Sequence, residues 1–225
     1  MKPNPKHQHQ KYRQLLIVLL ATFVISPFFQ TGLGNILPVL LLLYTIIVII
    51  KGFGLPRGWV VVYGAIALIA SGLQIFSELS LAASYNQSFS ILSQAIFVIY
   101  LGSAAYWIGQ DIWRTPDTTA DTVRGGISVY LLLGFVWALL YGIVSTLEPD
   151  AFSPPLFEFG EDSYLKALHF SFTTLTTLGY GDIVPVSDVA LVLTNLEAII
   201  GQMYVTIFIA TLVGGYLSGR SHKRF

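Results

Sequence analysis

Six long apolar runs, with hardly a charge inside them, restrict this chain more than any other feature. They lie near 14–29, 35–51, 58–82, 89–110, 126–147 and 188–217. Each holds roughly 16 to 30 residues, against about 20 needed to cross the hydrocarbon of a bilayer. Of the whole chain 54% is hydrophobic and 11% charged, where ordinary soluble domains carry about 25% charged residues. The pattern excludes a soluble fold and predicts six transmembrane helices. Pro38 sits near the start of the second run, where proline is tolerated. Lys2, Lys6, Lys11 and Arg13 precede Leu15–Ile25 in the manner of a signal peptide. No small-x-small cleavage site follows, so the first run reads as a retained helix.

Basic residues then orient the spans. With the N-terminus in the cytoplasm, Lys2, Lys6, Lys11, Arg13, Lys51, Arg57, Arg114, Arg124, Arg220, Lys223 and Arg224 all fall inside. Of the 12 Lys and Arg, only Lys166 does not. This is the positive-inside bias, and it favours an even number of spans with both termini cytoplasmic. The net charge is zero, which gives no electrostatic reason to expect a nucleic-acid partner, and the absence of cysteine excludes disulfides and thiolate metal sites. No hydrolase or nucleotide motif is present, so an enzyme is not expected.

The loop after the fifth run, Glu148–Asp162, is rich in acid and proline and faces outside in this topology. It leads into Ser163–Thr177, "SYLKALHFSFTTLTT", which is apolar enough for a helix but too short to span. Asp162 or Ser163 suits its N-cap, and the acids before it suit the positive end of its dipole. A short helix over 163–176, then a polar strip, between two spans, reads as a re-entrant loop. Non-helical backbone at membrane depth is tolerated only inside protein or along water. The strip should therefore line an aqueous path.

Its core is Thr177-Leu178-Gly179-Tyr180-Gly181. Glycine reaches positive φ without steric cost. Glycines at alternate positions let successive carbonyls turn to one side, and such a row replaces the hydration shell of a monovalent cation. One chain offers one row, so encircling an ion requires several copies about an axis.

The stretch "TTLTTLGYGD" (Thr173–Asp182) resembles the selectivity filter of the tetrameric potassium channel family, usually threonine-valine-glycine-tyrosine-glycine-aspartate. Leu178 stands where valine is usual. The likeness runs across outer helix, pore helix, filter and inner helix, roughly 126 to 217. It implies a homotetramer in a membrane, with K+ sites formed by the carbonyls of Thr177, Leu178, Gly179 and Tyr180 and the Thr177 hydroxyl as the innermost layer. Gly181 would permit the outer turn and Asp182 would stand at the outer mouth. The Tyr180 ring would brace the filter against Phe170 or Phe172. Many relatives carry a tryptophan pair where this chain has His169-Phe170, and some a glutamate where it has Thr173.

Two readings stand for Gly201, mid-way along the last run. It matches the family's inner-helix hinge glycine, or it allows close helix packing. Glu197, one turn earlier in an apolar helix, is a functional suspect by its cost alone. It braces the pore helix or titrates, or it is simply satisfied by a hydroxyl such as Thr173 or Thr174. Gln202, Val205 and Ile209 are cavity-lining candidates by helical spacing, while Gly214, Gly215 and Gly219 suit packing or helix ends.

The first four runs resemble those of voltage-gated channels in number only. The fourth, "SFSILSQAIFVIYLGSAAYWIGQDIW", has no Lys or Arg to carry gating charge. Gln74, Glu78 and Gln94 suit helix–helix hydrogen bonds, and the four helices a scaffold or a lipid or partner site. Arg114–Gly126 lacks an apolar stripe, which favours each four-helix unit packing on its own pore module. The few residues after Tyr216 do not form a calcium or nucleotide sensor, and His7 and His9 read as part of a solvated tail.

The expectation is thus an all-α membrane protein of six helices. An N-tail (1–13) precedes a four-helix unit without voltage-sensing arginines (14–113) and a cytoplasmic linker (114–125). The pore domain (126–217) comprises outer helix 126–147, pore helix 163–176, filter 177–181 and inner helix 188–217, followed by a C-tail (218–225). It would conduct K+ passively in a prokaryotic plasma membrane, with itself and membrane lipids as partners and no organic cofactor. A less selective cation channel and a non-conducting sensor or regulatory subunit are the alternatives.

Overall fold

The computed structural model of the chain describes residues 11–25, 83–114, 118–156 and 164–222, with the isolated positions 64, 65, 68, 69 and 72. The second predicted span and most of the third lie outside the described residues. So do His7, His9, Lys51, Arg57, Gln74, Glu78, Glu158, Glu161, Asp162, Ser163, Lys223 and Arg224.

Six α-helices are described: α1 Lys11–Ile25, α2 Ala83–Arg114, α3 Ala120–Leu147, α4 Tyr164–Leu175, α5 Asp188–Met203 and α6 Ala210–His222. A π-helical stretch, Tyr204–Ile209, joins α5 to α6 without a break. Among the described residues, three helical lengths are long and apolar enough to cross a membrane: Gln87–Arg114, Ala120–Leu147 and Asp188–Ser218. The first apolar helix, Tyr12–Ile25, is shorter.

The outer helix α3 begins at Ala120, earlier than the apolar pattern places it, because a capping box sets its start. Thr122 N donates to Thr119 Oγ1 (3.2 Å) and Thr119 N donates to Thr122 Oγ1 (3.1 Å), so two backbone donors of the first turn are satisfied reciprocally. Of the residues assigned to a linker, Arg114 ends α2 and Ala120–Gly125 already belong to α3.

α3 is the hub of the described residues. α1, α2, α4, α5, α6 and the π stretch all pack on it. Its buried side chains include Leu132, Phe135, Ala138 and Tyr141. Helices α1 and α2 therefore lie against α3 of their own chain. Tyr12 hydrogen-bonds Asp111 through its hydroxyl, and its backbone N–H reaches Asp121 Oδ2 at 3.3 Å. Phe23 meets Phe172 edge-on at 4.8 Å, and Trp113 stacks with Phe208 at 6.3 Å.

Two short strands, absent from the sequence expectation, join the end of α3 to the start of α5. β1 (Phe152–Ser153) pairs antiparallel with β2 (Val184–Pro185), Phe152 opposite Pro185 and Ser153 opposite Val184. Val186 N donates to Ala151 O at 2.8 Å and extends the clasp. The loop leaving α3 is thereby tied to the chain that follows the polar strip. Ser187 then caps α5, its hydroxyl accepting from Ala190 N at 3.3 Å.

Candidate functional site

The polar strip leaves the carboxyl end of α4 through three backbone bonds. Thr177 N donates to Thr174 O (2.9 Å), and Leu178 N (2.8 Å) and Gly179 N (3.1 Å) both donate to Thr173 O. Beyond them the backbone alternates. Thr177 has φ 58, Gly179 φ 51 and Gly181 φ 76, all left-handed. Left-handed residues at every second position are what a row of carbonyls on one side requires. The alternation starts one step before the first glycine, on a threonine. A non-glycine residue there costs about 1–2 kcal/mol, and Thr177 is held to it by its bond into the end of α4.

Residues 176–182 are all exposed on the single chain. Leu178 turns outward, 57% exposed, and so does the Tyr180 ring, 69% exposed. The Tyr180 ring stacks on His169, with centroids 5.8 Å apart and planes 7° from parallel. Within the single chain neither Phe170 nor Phe172, the expected braces, meets this ring. Phe170 is buried edge-on against Tyr141 (4.9 Å) and Phe152 (5.3 Å), and Phe172 packs toward Phe135 and Phe23. Full burial suits a phenyl ring, whereas the imidazole keeps a polar edge for Asp182. His169 Nε2 lies 2.8 Å from Asp182 Oδ2. Helix α4, the Tyr180 ring and Asp182 are thus joined through one histidine, at the position where the resemblance sets a tryptophan pair.

The carboxyl end of α4 is gripped from two sides. Tyr130 Oη on α3 donates to Leu175 O at 3.0 Å. Gly201 on α5 lies so close to the same carbonyl that a Cβ there would overlap it. Of the two readings of Gly201, close packing is the one visible in this geometry. One turn up, Glu197 is wholly buried. Its partners are not Thr173 or Thr174. Thr173 Oγ1 instead donates to Phe170 O at 2.9 Å, folding back on its own helix. Glu197 contacts Ser171 Oγ on α4 (2.6 Å) and the Tyr141 hydroxyl on α3. Tyr130→Phe would release the Leu175 carbonyl and is expected to lower stability by about 1 kcal/mol. Thermal unfolding of the solubilised protein checks it, and an unchanged midpoint would remove this grip from the account.

The π stretch changes the face presented by the residues that follow α5. An i→i+5 turn inserts one residue relative to α spacing, so Ile209 does not share a face with Gln202 and Val205. Those two are exposed, but Ile209 packs toward Gly126, where a Cβ would fall 3.2 Å from its Cδ1. Ile209, grouped with them by α-helical spacing, is thus turned toward α3 instead. Tyr204 anchors the stretch, donating through Oη to Gly126 O at 2.8 Å and stacking on Tyr130 at 5.7 Å. No cluster able to hold a metal through His, Cys, Asp or Glu occurs among the described residues.

Against known proteins, residues 126–214 match the family described as "Ion channel". The voltage-gated potassium channel Kch of Escherichia coli (strain K12) is 29% identical over 97 residues, 43% of this chain and 22% of that relative. The chain therefore aligns with under a quarter of that protein's length. No solved structure matches. Together with the apolar helices, these likenesses establish a mostly helical membrane protein whose residues 126–214 are similar to ion channel domains, a potassium channel among them.

Proposed function

We propose that the chain is a subunit of a homotetrameric, potassium-selective channel, and that Thr177–Gly181 is its filter. The observation that carries this reading is the alternation of left-handed φ at Thr177, Gly179 and Gly181. Such an alternation would turn successive carbonyls to one side, and four such rows around an axis would exchange a hydration shell for protein oxygens. The cation enters as substrate, crosses without chemical change and leaves. The exposure of the polar strip supports assembly from several copies, since non-helical backbone at membrane depth is tolerated only inside protein or along water. The termini are assigned to the cytoplasm by the basic residues, and the membrane to a prokaryotic plasma membrane.

The test is the reversal potential of the purified protein in a planar bilayer, with potassium on one side and sodium on the other. A reversal near the potassium equilibrium potential is expected. One near zero would sink selectivity in favour of a general cation channel.

Voltage dependence should be shallow. α2 carries Arg114 as its last residue and no other Lys or Arg, and each elementary charge moved across the membrane is worth about 2.3 kcal/mol per 100 mV. Conductance measured over a range of voltages should change little. Steep opening, with several gating charges per subunit, would show that the N-terminal helices are not a passive scaffold.

A further inference from the structure

Glu197, Tyr141 and Ser171 are each shut off from solvent on three different helices, α5, α3 and α4. Three contacts join them to one another and to α3. The Tyr141 hydroxyl meets Glu197 Oε2. Ser171 Oγ lies 2.6 Å from Glu197 Oε1. The same Ser171 Oγ lies 2.8 Å from Gly134 O, a carbonyl that can only accept.

Each contact needs a hydrogen. A tyrosine and a serine supply one each, and an ionised carboxylate supplies none. With Glu197 ionised, two hydrogens serve three contacts, and two oxygens are left facing each other. With Glu197 protonated, the count closes. The acid O–H donates to Ser171 Oγ, the Ser171 O–H donates to Gly134 O, and the Tyr141 O–H donates to Oε2. Glu197 pairs with no Lys, Arg or His among the described residues, and an unpaired charge at such a place in a membrane helix is expensive.

We infer that Glu197 carries its own proton, as a neutral carboxylic acid, and in that form is the positioning residue that locks α4 to both α3 and α5. Ser171 lies one turn before Leu175, the residue gripped by Tyr130 and Gly201. The two grips hold the short helix at two heights, and the helix in turn holds the polar strip. The inference does not rest on the ion the strip passes.

The experiment uses the full chain reconstituted in lipid at neutral pH, and compares the wild type with Glu197→Gln and Glu197→Ala. Glutamine keeps a donor toward Ser171 and an acceptor toward Tyr141, whereas alanine leaves both hydroxyls without a partner. Infrared difference spectra of wild type against Glu197→Gln should show a protonated carboxylic C=O band that the variant lacks. Glu197→Gln should unfold thermally at the wild-type midpoint, and Glu197→Ala roughly 5 °C or more below it. Absence of the acid band overturns the proton assignment. A glutamine variant as damaged as the alanine one overturns the positioning role. Both readouts are taken whether or not the protein conducts, so a failed channel assignment is told apart from a failed clamp.

Discussion

Gly179→Ala is expected to abolish potassium flux while leaving assembly intact. At Gly179 φ is 51, and nothing within the chain lies within 4 Å of where a Cβ would stand. The cost is therefore conformational and not a clash inside the subunit. An alanine held left-handed loses about 1–2 kcal/mol, which is recovered if the residue turns back to negative φ. That turn rotates a neighbouring carbonyl away from its fellows and repeats in every copy. Thr177 shows that a side chain is tolerated at left-handed φ where the strip leaves α4, with its N–H bonded to Thr174 O; Gly179 lies two residues further along the strip. Flux of potassium into vesicles should fall to background, while cross-linking still returns the wild-type oligomer. Normal, selective flux from this variant would remove the strip from consideration as a filter.

Gly201→Ala is expected to damage the same domain by a different route. The added methyl would occupy the position of the Leu175 carbonyl oxygen and press on Leu175 Cδ1, 2.9 Å away. Backbone cannot give way as a flexible side chain does, so α4 and α5 must part, and the Tyr130 bond to that carbonyl goes with them. Overpacking of this kind costs about 1–3 kcal/mol. A lowered unfolding midpoint and at least a tenfold loss of flux are anticipated. Gly214→Ala is the control, since nothing lies within 4 Å of a Cβ there, and it should behave as the wild type. If Gly201→Ala and Gly214→Ala prove alike, the close approach of α5 to α4 is not what this glycine serves.

Three long helices, over 87–114, 120–147 and 188–218, were legible because hydrophobic length is a one-dimensional property: an apolar run of sufficient length carries its own backbone hydrogen bonds wherever it packs. The non-helical strip was legible because two glycines at alternate positions declare a backbone need that no neighbour has to supply. Less was legible where a residue's role depends on what lies across a helix interface. Thr173 was an obvious partner for Glu197 by nearness in the sequence pattern, but its hydroxyl is spent on its own helix, and Ser171 and Tyr141 take the carboxyl group. Phe170 was the expected brace for Tyr180, but the core claimed it, and His169 faces the strip instead.

The amino-acid sequence by itself thus determined a helical membrane chain, the place of its polar interruption and the glycines that free that backbone, since each is a matter of local composition and spacing. Only the tertiary structure decided that the left-handed alternation begins at Thr177, that β1 and β2 join the end of α3 to the start of α5, and that Gly201 lies against Leu175. It also decided that the π stretch turns Ile209 toward Gly126. Each of these depends on which helix faces set side by side, and contacts between residues far apart in the chain leave no periodic signal along it.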